Sequence, residues 1–331
     1  MSHKKLVIAS YICGSSFAKK VIDILKNKSY PDLELLDMTE IKFANTEIKT
    51  IINKSIRDSD FFLIQDCETR DCGYSANDSI EAMKTALDAA FQSHVSRKTL
   101  IILSYPYARQ DKANAREGVS ASRLAQELED VYQTNSVISM DIHNNAIAGF
   151  FRKALPISLT AMNTLTNYIN ESIPDCTKII FADVGGSARA ENFANVLKKD
   201  ITGFQKKRDN LTGETDCKLL GKVKKDICVI VEDMIDTAGT IVKACEMLKK
   251  EGAKKVYCVA THGLFNGPAE ERLSKAYEEG FLNGVICTDS VYHSDEFKKR
   301  NPWYVEVSVA SYVAKVIHHL HNGESVSALL D

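Results

Sequence analysis

The chain carries almost no net charge, −2 at pH 7 over 331 residues. No global field therefore draws it to nucleic acid or to an anionic membrane, and any phosphate site has to be built locally. No apolar run approaches the roughly 18 residues of a membrane span. The opening "MSHKKLVIASYICGSS" has an apolar stretch too short for a secretory leader, broken at Gly14, so no leader is expected. There is no CxxC pair and no low-complexity segment. The nine cysteines, at 13, 67, 72, 176, 217, 228, 245, 258 and 287, are odd in number, and several sit inside apolar runs such as "ICVIV" and "YCVAT". They read as reduced, buried thiols of a cytoplasmic protein. "CETRDC" has no second ligand pair at zinc-binding spacing, so a zinc site is not expected.

What is present is a hydrophobic content of 44% and a charged content of 26%, the balance of a soluble globular chain long enough for two domains. Short apolar runs alternate with longer amphipathic ones. Strands are expected at 6–9, 33–38, 61–66, 100–105, 137–141, 179–183, 227–233, 256–263 and 305–309. Helices are expected at 15–27, 77–92, 120–131, 161–171, 187–199, 239–251, 267–279 and 309–321. That alternation predicts an α/β protein with parallel sheets covered on both faces. Two sheets of four or five strands suit the length, with the break near "FRKALPISLT", where Pro156 interrupts the pattern. The polar, glycine-containing stretch 206–226 is expected to form a hairpin or loop.

Several strands end in an acid: "VISMD", "IIFAD" and "ICVIVED". In open α/β sheets ligands bind beyond the carboxyl ends of the strands, so these acids are well placed for a site. A single acid there serves equally as a helix cap or turn residue. "VIVEDMIDTAGTI" (229–241) goes further. Its "DTAGT" can wrap a phosphate with backbone N–H groups, two threonine hydroxyls and the positive end of the following helix. The acids Glu232 and Asp233 upstream cannot bind that phosphate; they suit a sugar diol or a cation. Together they describe a ribose 5-phosphate moiety. A plain strand, turn and capped helix with exposed acids has the same local pattern.

The segment resembles the phosphoribosyl-binding motif shared by type I phosphoribosyltransferases and ribose-phosphate pyrophosphokinases. "YPYARQDK" (105–112) and "FANTE" (43–47) resemble the ATP-binding elements of the pyrophosphokinases alone. "SMDIH" (139–143), "ADVGGSAR" (182–189), "THGLFNGPA" (261–269) and "HNGESVS" (321–327) match further stretches of that family. The resemblance runs from about residue 5 to residue 330. It implies two doubly wound parallel-sheet domains of type I phosphoribosyltransferase-like fold, 1–157 carrying the ATP elements and 158–331 the ribose 5-phosphate site, with the last helix packing back on the N-terminal domain. It implies transfer of the β,γ-diphosphoryl group of MgATP to the 1-hydroxyl of ribose 5-phosphate, giving 5-phosphoribosyl 1-diphosphate and AMP for nucleotide biosynthesis.

Residue roles follow by matched motif. Arg109 and Gln110 would hold ATP, an arginine fork suiting phosphate. Phe43, Asn45 and Glu47 would hold adenine, supplied from a neighbouring subunit, so that the site needs a dimer-based oligomer, usually a hexamer. His143 and Asp183, with Asp141, would position Mg²⁺, an ion that takes few protein ligands. Lys206 and Arg208 of "FQKKR" align with the catalytic Lys-x-Arg, Lys207 being the adjacent alternative; such cations stabilise transferring phosphoryl oxygens. Asp233 would hold the ribose hydroxyls, and Asp236, Thr237, Ala238, Gly239 and Thr240 the 5-phosphate. Gly185 and Gly186 would let a loop approach the diphosphate. Nucleic acid and membrane are not expected as partners.

The chain also departs from the family. After "RQDK" the family carries a basic loop resembling Lys-Asp-Lys-Ser-Arg, which binds ATP phosphates and in many members belongs to a phosphate/ADP regulatory site. Here Ala113, Asn114 and Ala115 stand in it, and Arg116 alone persists. Asn145 and Ala148 replace an expected Ser and Gln, "PISL" replaces Val-Asp-Asn-Leu, and Glu232 replaces the commoner Asp. Residues 67–76, "CETRDCGYSA", are an insertion without an assigned role. Two other readings compete: a non-catalytic synthetase-associated regulatory paralogue, and a base phosphoribosyltransferase, which would need neither "PYARQDK" nor "FANTE". The altered loop predicts weak or absent phosphate activation and ADP inhibition. Turnover measured against phosphate concentration checks this, and steep activation from near zero would contradict it.

Overall fold

A computed structural model describes residues 4–68, 71–208 and 215–330, and for 206–208 and 215–217 the backbone alone. The chain divides into two compact units: Met1–Thr160 with Ser290–Tyr292 and Val309–Asp331, and Ala161–Asp289 with His293–Ser308.

In the first unit the elements are β1 (Leu6–Ser10), α1 (Ser15–Lys28), β2 (Met38–Lys42), β3 (Ile48–Ile52), β4 (Asp60–Ile64), α2 (Ala76–Gln92), β5 (Arg97–Ile101), α3 (Ser120–Gln126), β6 (Ser136–Met140) and β7 (Leu155–Leu159). Strands β1-β4-β5-β6-β7 form a parallel sheet in that order. β4 shows why its apolar run does not alternate. Phe61 and Leu63 join the core with Ile80, Met83 and Leu87 of α2, while Phe62 and Ile64 are buried too. A strand covered on both faces needs apolar residues at every position. α2 begins at a full capping box, Ser75 accepting from Asp78 N and the Asp78 carboxylate accepting from Ser75 N.

Three expectations change in this unit. The run 33–38 is not a strand: it makes one parallel bridge, Ile8 to Leu35, beside β1. The chain then leaves the sheet, because Met38–Lys42 pairs with Ile48–Ile52 in an antiparallel hairpin that packs on α2. The units divide after Thr160, at the end of "FRKALPISLT", but Pro156 itself interrupts no strand. It sits in β7, paired with Val137 of β6, and β7 is an edge strand, where a residue without N–H is tolerated. The third change concerns thiols. Cys13 and Cys72 are joined in a disulfide, their Cα atoms 5.3 Å apart across 59 residues of sequence. β1 and β4 are adjacent and parallel, with Ser10 opposite Ile64, so the loops leaving both strands emerge at one edge and bring the two cysteines together. The other described cysteines, 67, 176, 228, 245, 258 and 287, are free and buried. Burial pushes the Cys228 and Cys245 thiols up to about 12, the behaviour of inert core residues.

The second unit contains α4 (Met162–Ser172), β8 (Lys178–Phe181), α5 (Ser187–Leu197), β9 (Asp200–Arg208), β10 (Thr215–Leu219), β11 (Ile227–Ile235), α6 (Gly239–Lys250), β12 (Lys255–Gly263), α7 (Ala269–Glu278), β13 (Gly284–Thr288), α8 (Asp295–Arg300) and β14 (Tyr304–Val307). The sheet order is β10-β9-β8-β11-β12-β13-β14, seven strands among the described residues rather than four or five. All neighbours are parallel except β10, which forms a hairpin with β9. After β8 the chain steps through α5 to β9 on one side; it then returns to lay β11 on the other. The strand order reverses between β8 and β11.

α9 (Ala310–Asn322) belongs to the first unit, packed on α1. Asp60, at the start of β4, holds it. Arg97 Nε donates to Asp60 Oδ1 at 2.7 Å, and Arg97 Nη2 bonds Asp60 Oδ2 and the Leu320 carbonyl. His321 Nδ1 lies 2.8 Å from Asp60 Oδ2. Burial alone would raise the Asp60 carboxyl, but the hydrogen bonds from His321 and Arg97 and their charge outweigh it and hold it below the usual carboxylate range. No helix among the described residues is long and apolar enough to cross a membrane.

Two outcomes are expected. A depressed folded pKa means stability that is complete above the ordinary Asp value of about 3.9 and lost as pH falls from there through the folded value. Asp60→Asn should therefore cost about 3 kcal/mol at pH 7, as for a broken buried pair, and far less at pH 3; equal losses in denaturant titrations at both pH values would contradict this. Cys13→Ser opens a loop of about 60 residues and should cost about 4 kcal/mol under non-reducing conditions. An unchanged midpoint in that titration would place the bridge outside the stable fold.

Candidate functional site

The strand-order reversal in the second unit leaves two loops side by side beyond β8 and β11, the position at which open α/β sheets bind ligands. From β8 comes Asp183. Its carboxylate accepts the Gly186 N–H at 3.3 Å across the short turn Val184–Gly186 that leads into α5. A Cβ at Gly185 would lie 3.1 Å from Asp183 Oδ1, and one at Gly186 would lie 3.7 Å from Glu232 Oε2. The glycine turn therefore runs directly past two carboxylates.

From β11 come the acids. The strand extends past them to Ile235, with Glu232 opposite Ala260 and Met234 opposite His262 of β12. Asp233 is buried, accepts its neighbour's N–H from Met234 at 2.8 Å, and has Arg189 Nη1 of α5 at 3.4 Å. Beyond it the chain turns sharply. Ala238 stands in the left-handed region at φ 58°, ψ 2°, and α6 starts at Gly239. Non-glycine residues rarely hold that conformation unless their surroundings impose it. Thr237 and Thr240 are exposed on either side of the buried Ala238. Asp236 Oδ1 accepts from Asn266 Nδ2 at 2.8 Å, and the Thr237 carbonyl accepts from Arg272 Nη1 at 2.9 Å. The loop so formed presents backbone N–H groups at a helix N-terminus, chemistry suited to an anion. Asp233 and Glu232 suit hydroxyl donors or a cation.

In the first unit the predicted residues gather beyond β5 and β6, which are neighbours. Tyr105 anchors the segment after β5: it is buried, its hydroxyl donates to the Ala121 carbonyl at 3.2 Å, and burial pushes its phenol up. Tyr107, at φ 58°, donates to Asn77 Oδ1 at 2.7 Å, and Gln110 N donates back to Tyr107 O at 2.8 Å. That tight turn leaves Arg109 and Gln110 exposed, followed by 112–118, exposed throughout. After β6, Asp141 takes φ 40° and accepts from the Thr160 hydroxyl at 2.9 Å; His143 is exposed two residues on. Asn144 bonds Asp111 and ties the two loops together. Among the described residues no three His, Cys, Asp or Glu side chains form a metal-holding group. Asp141 with His143, and Asp183, offer donors only in sets of one or two, so a cation at either place would need water or phosphate oxygens to complete its shell.

Phe43, Asn45 and Glu47 lie at the tip of the β2–β3 hairpin. Phe43 N donates to Glu47 O and Thr46 N to Phe43 O, each at 2.8 Å, and Phe43 is 47% exposed. The hairpin's base is held by residues that sequence reasoning passed over. Lys42 Nζ is 2.9 Å from Asp78 Oδ2 and 4.8 Å from the centre of the Tyr74 ring. Glu40 is pushed up by burial, opposed by a hydrogen bond from Tyr74. Tyr74 and Cys72 both belong to the 67–76 insertion, which thus braces the hairpin. Lys206 and Arg208 lie in β9, paired through the backbone with Cys217 and Thr215 of β10; their side chains lie outside the described residues. Arg189, Asn266 and Arg272 were also passed over, since each reads as an ordinary polar position on a helix or turn.

Residues 6–131 match the family model for the N-terminal domain of ribose phosphate pyrophosphokinase, and residues 210–331 match the one described as a phosphoribosyl synthetase-associated domain. Ribose-phosphate pyrophosphokinase A of Dictyostelium discoideum is 34% identical over 289 residues, 87% of this chain and 88% of that relative. Ribose-phosphate pyrophosphokinase 2 of Schizosaccharomyces pombe is 32% identical over 327 residues, 94% of this chain and 98% of that relative. The crystal structure of phosphoribosylpyrophosphate synthetase from Mycobacterium smegmatis superposes with a TM-score of 0.86 at 29% identity, covering 97% of this chain and all of that one.

Proposed function

The chain belongs to the ribose-phosphate pyrophosphokinase family, and we propose that it transfers the β,γ-diphosphoryl group of MgATP to the 1-hydroxyl of ribose 5-phosphate. The hydroxyl oxygen attacks the β-phosphorus as the bond to the α,β-bridging oxygen breaks. AMP leaves with the electron pair, the hydroxyl proton is lost, and 5-phosphoribosyl 1-diphosphate forms.

The observation that carries this reading is the junction of a glycine turn and an acid-to-cup segment at one strand-order reversal. In it the Asp236–Thr240 loop receives the 5-phosphate, and Asp233 beside Glu232 accepts from the ribose hydroxyls. Gly185 and Gly186 admit the diphosphate close to the backbone; a Cβ there would crowd Asp183 or approach Glu232. Arg109 and Gln110 hold ATP. Phe43, Asn45 and Glu47 grip adenine from a second subunit of a dimer-based assembly, a role consistent with an aromatic ring left exposed at a hairpin tip. Lys206 and Arg208 stabilise the charge that gathers on the transferred oxygens. Bound Mg²⁺ would neutralise part of the triphosphate charge; Asp141 and His143 in the first unit, and separately Asp183 in the second, are the residues that would hold such ions. Cytoplasmic residence draws on the buried free thiols; the Cys13–Cys72 bridge argues the other way.

The second reading is a synthetase-associated regulatory paralogue without catalysis. It draws on the description of the model matched by residues 210–331 and on the loss of basic residues at Ala113 and Ala115. AMP release from ATP, dependent on ribose 5-phosphate, separates the two. Under the catalytic reading Lys206→Ala should lose several orders of magnitude in turnover while both substrates still bind. A fully active Lys206→Ala would remove the cation from the mechanism.

A further inference from the structure

The phosphate cup has an unusual charge problem. Its one ionisable side chain, Asp236, has the wrong sign for a phosphate dianion, and its backbone depends on an alanine held at φ 58°. Alanine is disfavoured in the left-handed region, so something must impose it. Two side chains from outside the loop contact it at these points. Asn266 Nδ2 donates to Asp236 Oδ1 at 2.8 Å, turning that carboxylate onto an amide. Arg272 Nη1 donates to the Thr237 carbonyl at 2.9 Å. The peptide between Thr237 and Ala238 is trans, so its C=O and N–H point in opposite directions. Fixing the carbonyl on Arg272 therefore aims the Ala238 N–H to the opposite side. Gly239 completes the fit, because a Cβ there would come within 3.3 Å of Arg272 Nη1.

The brace is itself anchored. Leu264 N and Phe265 N both donate to the Ile235 carbonyl, at 2.9 and 3.0 Å, joining the turn before α7 to the end of β11. Phe265 then packs into an aromatic cluster, 5.1 Å from His293 and 5.7 Å from Phe297. Asn266 follows directly, and Arg272 stands on the first turn of α7.

We propose that Asn266 and Arg272 are positioning residues for ribose 5-phosphate: Arg272 sets the direction of the Ala238 N–H through the Thr237 carbonyl, and Asn266 restrains the Asp236 carboxylate. The guanidinium also adds the positive charge that the loop lacks. This rests on the reading of Asp236–Thr240 as the seat of the 5-phosphate.

The test uses the full chain, with calorimetry of ribose 5-phosphate on the wild type first. No binding there overturns the parent reading and the brace with it. With binding established, Arg272→Ala should raise the ribose 5-phosphate KM roughly tenfold or more, the size of one charged hydrogen bond. The ATP KM should stay within about twofold, and added guanidinium ion should restore part of the loss. Gly239→Ala should raise the same KM, and should add little in an Arg272→Ala background, because both act on one contact. Should Arg272→Ala not fold, Gly239→Ala and Arg272→Lys, read for the same split between the two KM values, take its place. A ribose 5-phosphate KM within about twofold of wild type, an equal rise in both KM values, or additive effects in the double variant would overturn the brace while leaving the parent reading in place.

Discussion

The second unit depends on one topological constraint, the reversal of strand order between β8 and β11. Two parallel neighbours whose chains depart in opposite directions leave their following loops facing each other without a crossing helix over them. Asp183 with its glycine turn occupies one of those loops; Glu232 and Asp233 stand in the last residues of β11, just before the other, which turns into α6. The arrangement needs no net positive charge on the protein, which has none to offer. Its peptide N–H groups and helix N-terminus suit an anion, and its carboxylates suit hydroxyls or a cation. The near-neutral composition and the local construction of the site are two sides of one design.

In the first unit the same sheet logic serves different ends. The loops after β5 and β6 emerge together and are joined by Asn144 and Asp111. The hairpin β2–β3 stands off the main sheet, held at its base by Lys42, Asp78 and Tyr74. Tyr74 comes from an insertion bonded through Cys72 to Cys13, so a segment with no role visible in sequence turns out to support the hairpin that carries Phe43, Asn45 and Glu47. At the opposite ends of these strands, Asp60, the first residue of β4, gathers Arg97 and His321 and fastens α9.

How much was legible in sequence follows from where the determining interactions lie. The α/β class was readable because runs such as "FFLI" and "ICVIV" need burial on both faces, and because the helices carry their own periodicity. Asp183, Glu232 and Asp233 were readable for the same reason, lying at the ends of those apolar runs. Met38–Lys42 and Ile48–Ile52 escaped because a hairpin half exposed to solvent has no such run. β9 escaped because its residues are polar and near the sheet's edge, and β13, "GVICT", because it is short and begins with glycine. The disulfide depended on β1 lying next to β4, a pairing that spacing does not encode. Arg272 bonds the main chain and Asn266 a carboxylate of another loop, and nothing in their own sequence neighbourhood marks them.

The most direct measurement is phosphorus NMR of the protein incubated with ATP, ribose 5-phosphate and magnesium. Appearance of AMP together with a diphosphate attached at the anomeric carbon, in equal amounts, is the expected result. Unchanged substrates, or ATP cleaved to ADP and phosphate with ribose 5-phosphate untouched, would contradict diphosphoryl transfer at this site.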